Sequence, residues 1–260
     1  MYVDILGWRE LICAGVDEKL LEIVELIHLV AEGSNEHVRQ HYLARDGKYE
    51  EWAPGISGKV QVNPLFLQHQ FGAFSDHFVF SMPATYGLWF LNTASKLIID
   101  LLHAGVLTRG AAVLGDLYHR DNVIFGPALV EAAEIETRES IYPRILLSPE
   151  VVKVWDKTKS VRGSTLVLED ILGRRVVNPF SLPFSGGNVQ MLDSFVHLNY
   201  HLREIRITIE REIAAVERAN RYGHAEKWRY LWRLIDGPIL TAEPRLRPYW
   251  DATLTRDTSQ

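Results

Sequence analysis

Asp4 and Asp76 are the residues of this chain whose type and setting could do chemistry. Asp4 lies in the apolar run Tyr2-Val-Asp-Ile-Leu-Gly-Trp8, which reads as a buried strand stopping near Gly7 before a helix begins. Asp76 lies in Phe71-Gly-Ala-Phe-Ser-Asp-His-Phe-Val-Phe-Ser81, two aromatic-rich strands with Ser75-Asp76 at the turn between them. A strand-end carboxylate beside a hairpin-tip carboxylate can hold hard divalent cations over a phosphate-bearing substrate, because such ions prefer oxygen ligands. Each also has an ordinary reading. A strand-end aspartate caps or turns the chain, and Ser-Asp is common turn chemistry.

The elements around them decide whether the two can meet. Residues 2–6 read as a strand, and from Asp17 the apolar residues Leu20, Ile23, Val24, Ile27 and Val30 form one helical stripe. Asp17 suits an N-cap and Gly33 a helix stop. Residues 42–49 offer a hairpin turning at Asp46-Gly47, and residues 52–63 are loop-like. After the Asp76 hairpin, a second helix is predicted over 84–104, a strand over 106–114 and a helix over 125–136 opened by Gly126-Pro127. A strand over 144–147 and a helix from Ser148-Pro149 follow. The order β-α-β-β-α-β predicts an α+β fold, the ferredoxin-like palm, in which helices cover one face of an antiparallel sheet. That fold places the end of the first strand beside the tip of the central hairpin.

Beyond residue 155 the texture changes. A strand is predicted over 174–177 and a long helix over 193–221, with Gly223 breaking it before a second stripe of Trp228, Leu231, Trp232 and Ile235. The expected organisation is a catalytic palm over 1–155, a mainly helical C-terminal extension over 156–250, and a polar, disordered tail over 251–260.

With 47% hydrophobic and 23% charged residues, the 260-residue chain has the composition of a soluble globular protein. Its net charge of −5 gives no electrostatic case for a nucleic-acid or membrane partner. No apolar stretch is long enough to span a bilayer, and the opening strand already carries Asp4. Cys13, the single cysteine, excludes an intrachain disulfide framework and a cysteine-rich zinc site. It is read as a small core residue. A cytoplasmic location is expected.

Several segments together resemble the class III nucleotidyl cyclases, and within them the bacterial pyrimidine cyclases of antiphage (Pycsar) defence. The strand motif Asp-Ile-x-Gly-aromatic is matched by Asp4-Ile5-Leu6-Gly7-Trp8, and the hairpin Gly/Ser-Asp pair by Ser75-Asp76. Thr108 to Gly115, Asn122 to Glu134 and Ile145 to Val151 resemble the downstream strand and helix segments in the family's order. The match covers about residues 2–152. It departs where purine cyclases carry an asparagine and an arginine that steady the transition state, here Val130 and Glu134. The positions that contact a purine base fall at Pro127 and near Gly72.

The resemblance implies a two-metal cyclase converting UTP, or less favourably CTP, to its 3′,5′-cyclic monophosphate and pyrophosphate as a second messenger. Asp4 and Asp76 would bridge two Mn2+ or Mg2+ ions, with the Ile5 carbonyl a further ligand. The backbone at Gly7 and Trp8 would face the phosphates, although the Trp8 ring also reads as core or dimer packing. Tyr49 (with Trp52) lies where an aromatic would meet a pyrimidine, or packs on the sheet. Arg109, Arg138 and Arg144 are candidates to replace the missing arginine, against the default of a solvated surface. Class III sites form between two cyclase domains, so the resemblance implies a homodimer whose effector is reached only through the cyclic nucleotide. The alternatives are a catalytically inactive nucleotide-binding sensor and a purine cyclase.

Overall fold

The computed structural model of the chain describes residues 1–13, 15, 17–32, 70–82, 84, 90–120, 123–157, 165–181 and 190–251. β1 (Tyr2–Leu6) is almost wholly buried, as a central strand should be. A helix pair follows it, α1 (Trp8–Cys13) and α2 (Glu18–Glu32). Asp17 caps α2 as expected, its Oδ1 accepting the Leu20 N–H at 2.9 Å. The hairpin of β2 (Gln70–Phe74) and β3 (His77–Ser81) turns at Ser75-Asp76, where Ser75 takes φ +56°. A positive φ at the first loop residue matches the twist of a two-residue hairpin. Then come α3 (Phe90–His103), β4 (Leu107–Ala112), the small hairpin β5 (Tyr118–Arg120) and β6 (Val123–Phe125), α4 (Pro127–Glu139), β7 (Ile145–Leu147) and α5 (Pro149–Lys157).

β1 lies antiparallel between β3 and β4, so the first four strands stand in the order β2-β3-β1-β4. β7 adds to β4 in parallel. Beyond residue 155, β8 (Val167–Glu169) and β9 (Arg175–Val177) extend the same sheet to seven strands, β2-β3-β1-β4-β7-β9-β8. The protein is thus α+β with a mostly antiparallel sheet. Gly110 shows why β4 can lie where it does, since a Cβ there would overlap the Tyr2 carbonyl oxygen of β1.

Alternation along the strands sorts the core onto two faces. Val3, Ile5, Phe78, Phe80, Ile145 and Val177 point to one face, against Ile23 of α2, Leu97 and Leu101 of α3, and Trp155 of α5. Tyr2, Val79 and Ala111 point to the other, where Ala132 of α4 covers them. Helices therefore pack on both faces, not on one, because this second face is also apolar.

The C-terminal helices α6 (Gln190–Arg218), α7 (Tyr222–Leu234) and α8 (Arg247–Asp251) share a core with Leu107 and Leu146 through Ile205, Ile209, Trp228, Leu231 and Trp250. The break between α6 and α7 is made by Asn220 at φ +56°, with the Arg221 N–H on the Val216 carbonyl at 2.8 Å. Gly223, expected to break the helix, lies inside the first turn of α7. Cys13 also departs from expectation: it is exposed at the end of α1, none of whose residues is buried. Among the described residues, no helix is long and apolar enough to cross a membrane.

Candidate metal centre

The strand register sets three side chains in one row across the sheet. Asp4 of β1 pairs with His77 of β3 on one side and Arg109 of β4 on the other. All three belong to the face that carries Tyr2 and Ala111. Asp76, one residue before His77, joins them from the hairpin tip, and its carbonyl accepts the Ile5 N–H at 2.8 Å. The two aspartates foreseen as one site are thus brought together by ordinary strand pairing.

Asp4 is only 7% exposed. Its Oδ2 accepts a hydrogen bond from Arg109 Nε at 2.9 Å, and its Oδ1 lies 3.5 Å from His77 Nε2. The other imidazole nitrogen, Nδ1, is 2.8 Å from Asp76 Oδ1, so His77 spans the two carboxylates. Ligand atoms of Asp4, Asp76 and His77 lie within 4.8 Å of one another. A third carboxylate arrives from α4: Glu136, 3% exposed, sets Oε1 2.6 Å from Arg109 Nε. Arg109 therefore stands between two buried carboxylates with Asp76 close by, an excess of negative charge that suits a divalent cation. The nearby Tyr2 hydroxyl reports that charge. Burial first, then Glu136, Asp4 and Asp76, push its pKa up to about 12.

The oxygen-rich donor set fits Mn2+ or Mg2+, with His77 a nitrogen donor that Mn2+ accepts more readily. Asp4 and Asp76 would hold the ion, with His77 within reach. A cavity of about 350 Å3 lies elsewhere among the described residues. It opens beside Tyr2 and is lined by Ser81, Leu117, His119 and Ala132, without Asp4 or Asp76. The carboxylate chemistry marks the site better than cavity size does.

The other expected residues scatter. Gly7 has φ +83°, a conformation that favours glycine, and directs the chain from β1 into α1. Trp8 is half-buried and packs against the core. With six residues, α1 offers free amides but only a short dipole. Arg144 is not at the site: its side chain is buried on Asp170 and donates to the Glu139 carbonyl at 3.2 Å. Arg138 stands exposed on α4, 3.9 Å from Glu134. Tyr49 and Trp52 lie outside the described residues.

His77, Glu136 and Lys227 were not expected at this site. Glu136 had a signal in the sequence: it continues the buried stripe of Ala128 and Ala132 at four-residue steps, a carboxylate on a covered face. His77 becomes visible only with the β1–β3 register. Lys227, half-buried on α7, has no local signal. Burial and the charge of Arg109 lower its ammonium pKa, against Asp4 and Glu10, which raise it. Those charges put it within electrostatic reach of the acidic row.

Two further features concern the positions where purine cyclases differ. Val130, 60% exposed, and Glu134 both lie on the outer face of α4, turned away from Asp4. A Cβ on Gly72 would meet Ile124 Cδ1 at 2.6 Å and His119 Nε2 at 3.2 Å, because the β5–β6 hairpin arches over β2. No family model, curated protein or solved structure matches the chain.

Proposed function

We propose that this chain is a metal-dependent pyrimidine nucleotide cyclase with a class III palm, working as a homodimer on UTP, or less favourably CTP. One observation carries the reading. Asp4 and Asp76, from segments far apart in sequence, meet at the centre of a sheet ordered β2-β3-β1-β4, the order of a ferredoxin-like palm. The crowding over Gly72 leaves little room for a purine-contacting lysine there, which supports a pyrimidine.

In the reaction the ribose 3′ oxygen forms a bond to the α-phosphorus, the bond from that phosphorus to the β-bridging oxygen breaks, and pyrophosphate leaves. The 3′ proton passes to solvent. Divalent cations, when bound, supply Lewis acidity at the attacking oxygen and across the phosphates. Asp4 and Asp76 would hold those cations at the strand ends, and His77, lying between the two carboxylates, keeps them in register. Arg109 offers its guanidinium to negative charge that grows during transfer. Exposed apolar residues on the β5–β6 hairpin, Tyr118, Val123 and Phe125, supply surface for a second copy. By resemblance, the cyclic nucleotide would act as a messenger in defence against phage.

The test is to incubate the purified protein with each ribonucleoside triphosphate and Mn2+ and identify products by mass spectrometry. Cyclic UMP or cyclic CMP, absent with Asp76→Asn, is expected. Cyclic AMP or cyclic GMP would reject the pyrimidine assignment. A second reading, an inactive nucleotide-binding module, draws on the outward-facing Val130 and Glu134. Nucleotide binding without turnover, unchanged by Asp76→Asn, would select it.

A further inference from the structure

Arg109 has two carboxylates and one Nε–H to give them. That hydrogen goes to Asp4 Oδ2 at 2.9 Å. Glu136 Oε1 is nearer, at 2.6 Å, yet it is buried and takes no hydrogen bond. Among the described residues, its Oε2 accepts only the neighbouring Thr137 hydroxyl, at 3.0 Å. A buried carboxylate oxygen without a hydrogen bond is costly, and proteins rarely keep one without a reason.

The reason follows from what Asp4 must do. An Asp4 that engages a cation can no longer give Oδ2 to Arg109, and a dication beside it repels the guanidinium. Arg109 is itself three-quarters covered, so losing Asp4 would, without Glu136, leave a largely desolvated, uncompensated charge. Glu136 Oε1 is the acceptor already within reach. The guanidinium need only reorient to trade one carboxylate for the other.

We propose, building on the cation site above, that Glu136 is a positioning residue that receives Arg109 when Asp4 takes up a cation. Glu136 thereby lowers the cost of loading the site. It also holds the guanidinium beside the reacting groups instead of letting it compete for Asp4.

The experiment is a double-mutant cycle read by Mn2+ binding, using calorimetry on the full chain without nucleotide. Glu136→Gln keeps the shape and removes the charge, and far-ultraviolet circular dichroism checks that each variant folds. Glu136→Gln is expected to weaken Mn2+ binding about tenfold, within the range of coupling seen for contacting charged residues. Arg109→Gln should bind Mn2+ at least as tightly as the wild type. Adding Glu136→Gln to Arg109→Gln should then cost little, and Glu136→Asp should recover part of the loss in the wild-type background. The same tenfold loss in both backgrounds would overturn the inference, because Glu136 would then act on the cation directly or by simple charge. An unchanged affinity in Glu136→Gln would overturn it as well. Wild-type protein that binds no Mn2+ would reject the cation site and this inference together, which separates that failure from the other two.

Discussion

The Tyr230 hydroxyl donates to Asp170 Oδ2 at 2.7 Å and ties helix α7 to the β8–β9 turn. Asp170 Oδ2 also meets Arg144, and its Oδ1 accepts the N–H groups of Leu172 and Arg174, each at 2.9 Å. The Tyr142 and Tyr230 rings stack 4.5 Å apart beside the Arg144 guanidinium. Arg144 and Asp170 are thus a buried, fully enclosed ion pair that pins the C-terminal helices to the sheet. Tyr230→Phe should cost about 2 kcal/mol, the usual loss for a hydrogen bond to a charged group. Asp170→Asn should cost about 3–5 kcal/mol, since it leaves Arg144 buried without a counter-charge. Thermal unfolding should follow that order; equal melting temperatures for both variants and the wild type would refute the role.

Acid should undo the same contact. Burial alone would raise the Asp170 pKa, but the hydrogen bonds from Arg174, Tyr230, Leu172 and Arg144 outweigh it and hold the carboxyl below its ordinary range. A carboxyl depressed in the folded state stabilises the protein above its unfolded pKa of about 3.9 and loses that contribution as pH falls through the folded value. The stability gap between wild type and Asp170→Asn should therefore be full near neutrality and shrink below about pH 4. Denaturant unfolding at a series of pH values measures it. A gap that stays constant into acid would mean that the carboxylate charge is not what Arg144 and Tyr230 need.

Much of the fold was legible because it is written locally. The strand at Tyr2–Leu6, the Ser75-Asp76 turn, Pro127 in the first turn of α4 and the stripe of Trp228 and Leu231 all follow from periodicity and turn chemistry. The pairing of Asp4 with Asp76 was legible once the element order was. Arg109 and Arg144 show where reading stops. Both are lone arginines at strands, and only register and a segment 26 residues further on separate them: Arg109 falls opposite Asp4, while Arg144 turns to Asp170. Cys13 failed for a related reason, since its apolar neighbour Ile12 is also exposed on α1. Glu136 could have been flagged as a charge on a small-residue stripe. Lys227 could not, because nothing near it in sequence says that α7 folds back toward the end of β1.

Lys227 carries the last expectation. Its neighbour Trp228 is buried with Leu231 in the core that also holds Leu6 and Leu107, the residues that end β1 and begin β4. Lys227 lies within electrostatic reach of Asp4, Glu10 and Arg109, whose charges act on its ammonium. A cation near these two acidic groups is suited to meet the anionic end of the triphosphate proposed as substrate. Under the proposed cyclase activity, Lys227→Gln should raise KM for the nucleotide about tenfold, the scale of one hydrogen bond to a charged group, and change kcat less. Lys227→Arg, which keeps the charge, should recover much of the loss. Steady-state kinetics on both variants decides the matter. A fall in kcat at unchanged KM would instead place Lys227 at the reacting phosphate, and no change in either would show that α7 serves only to cover the sheet.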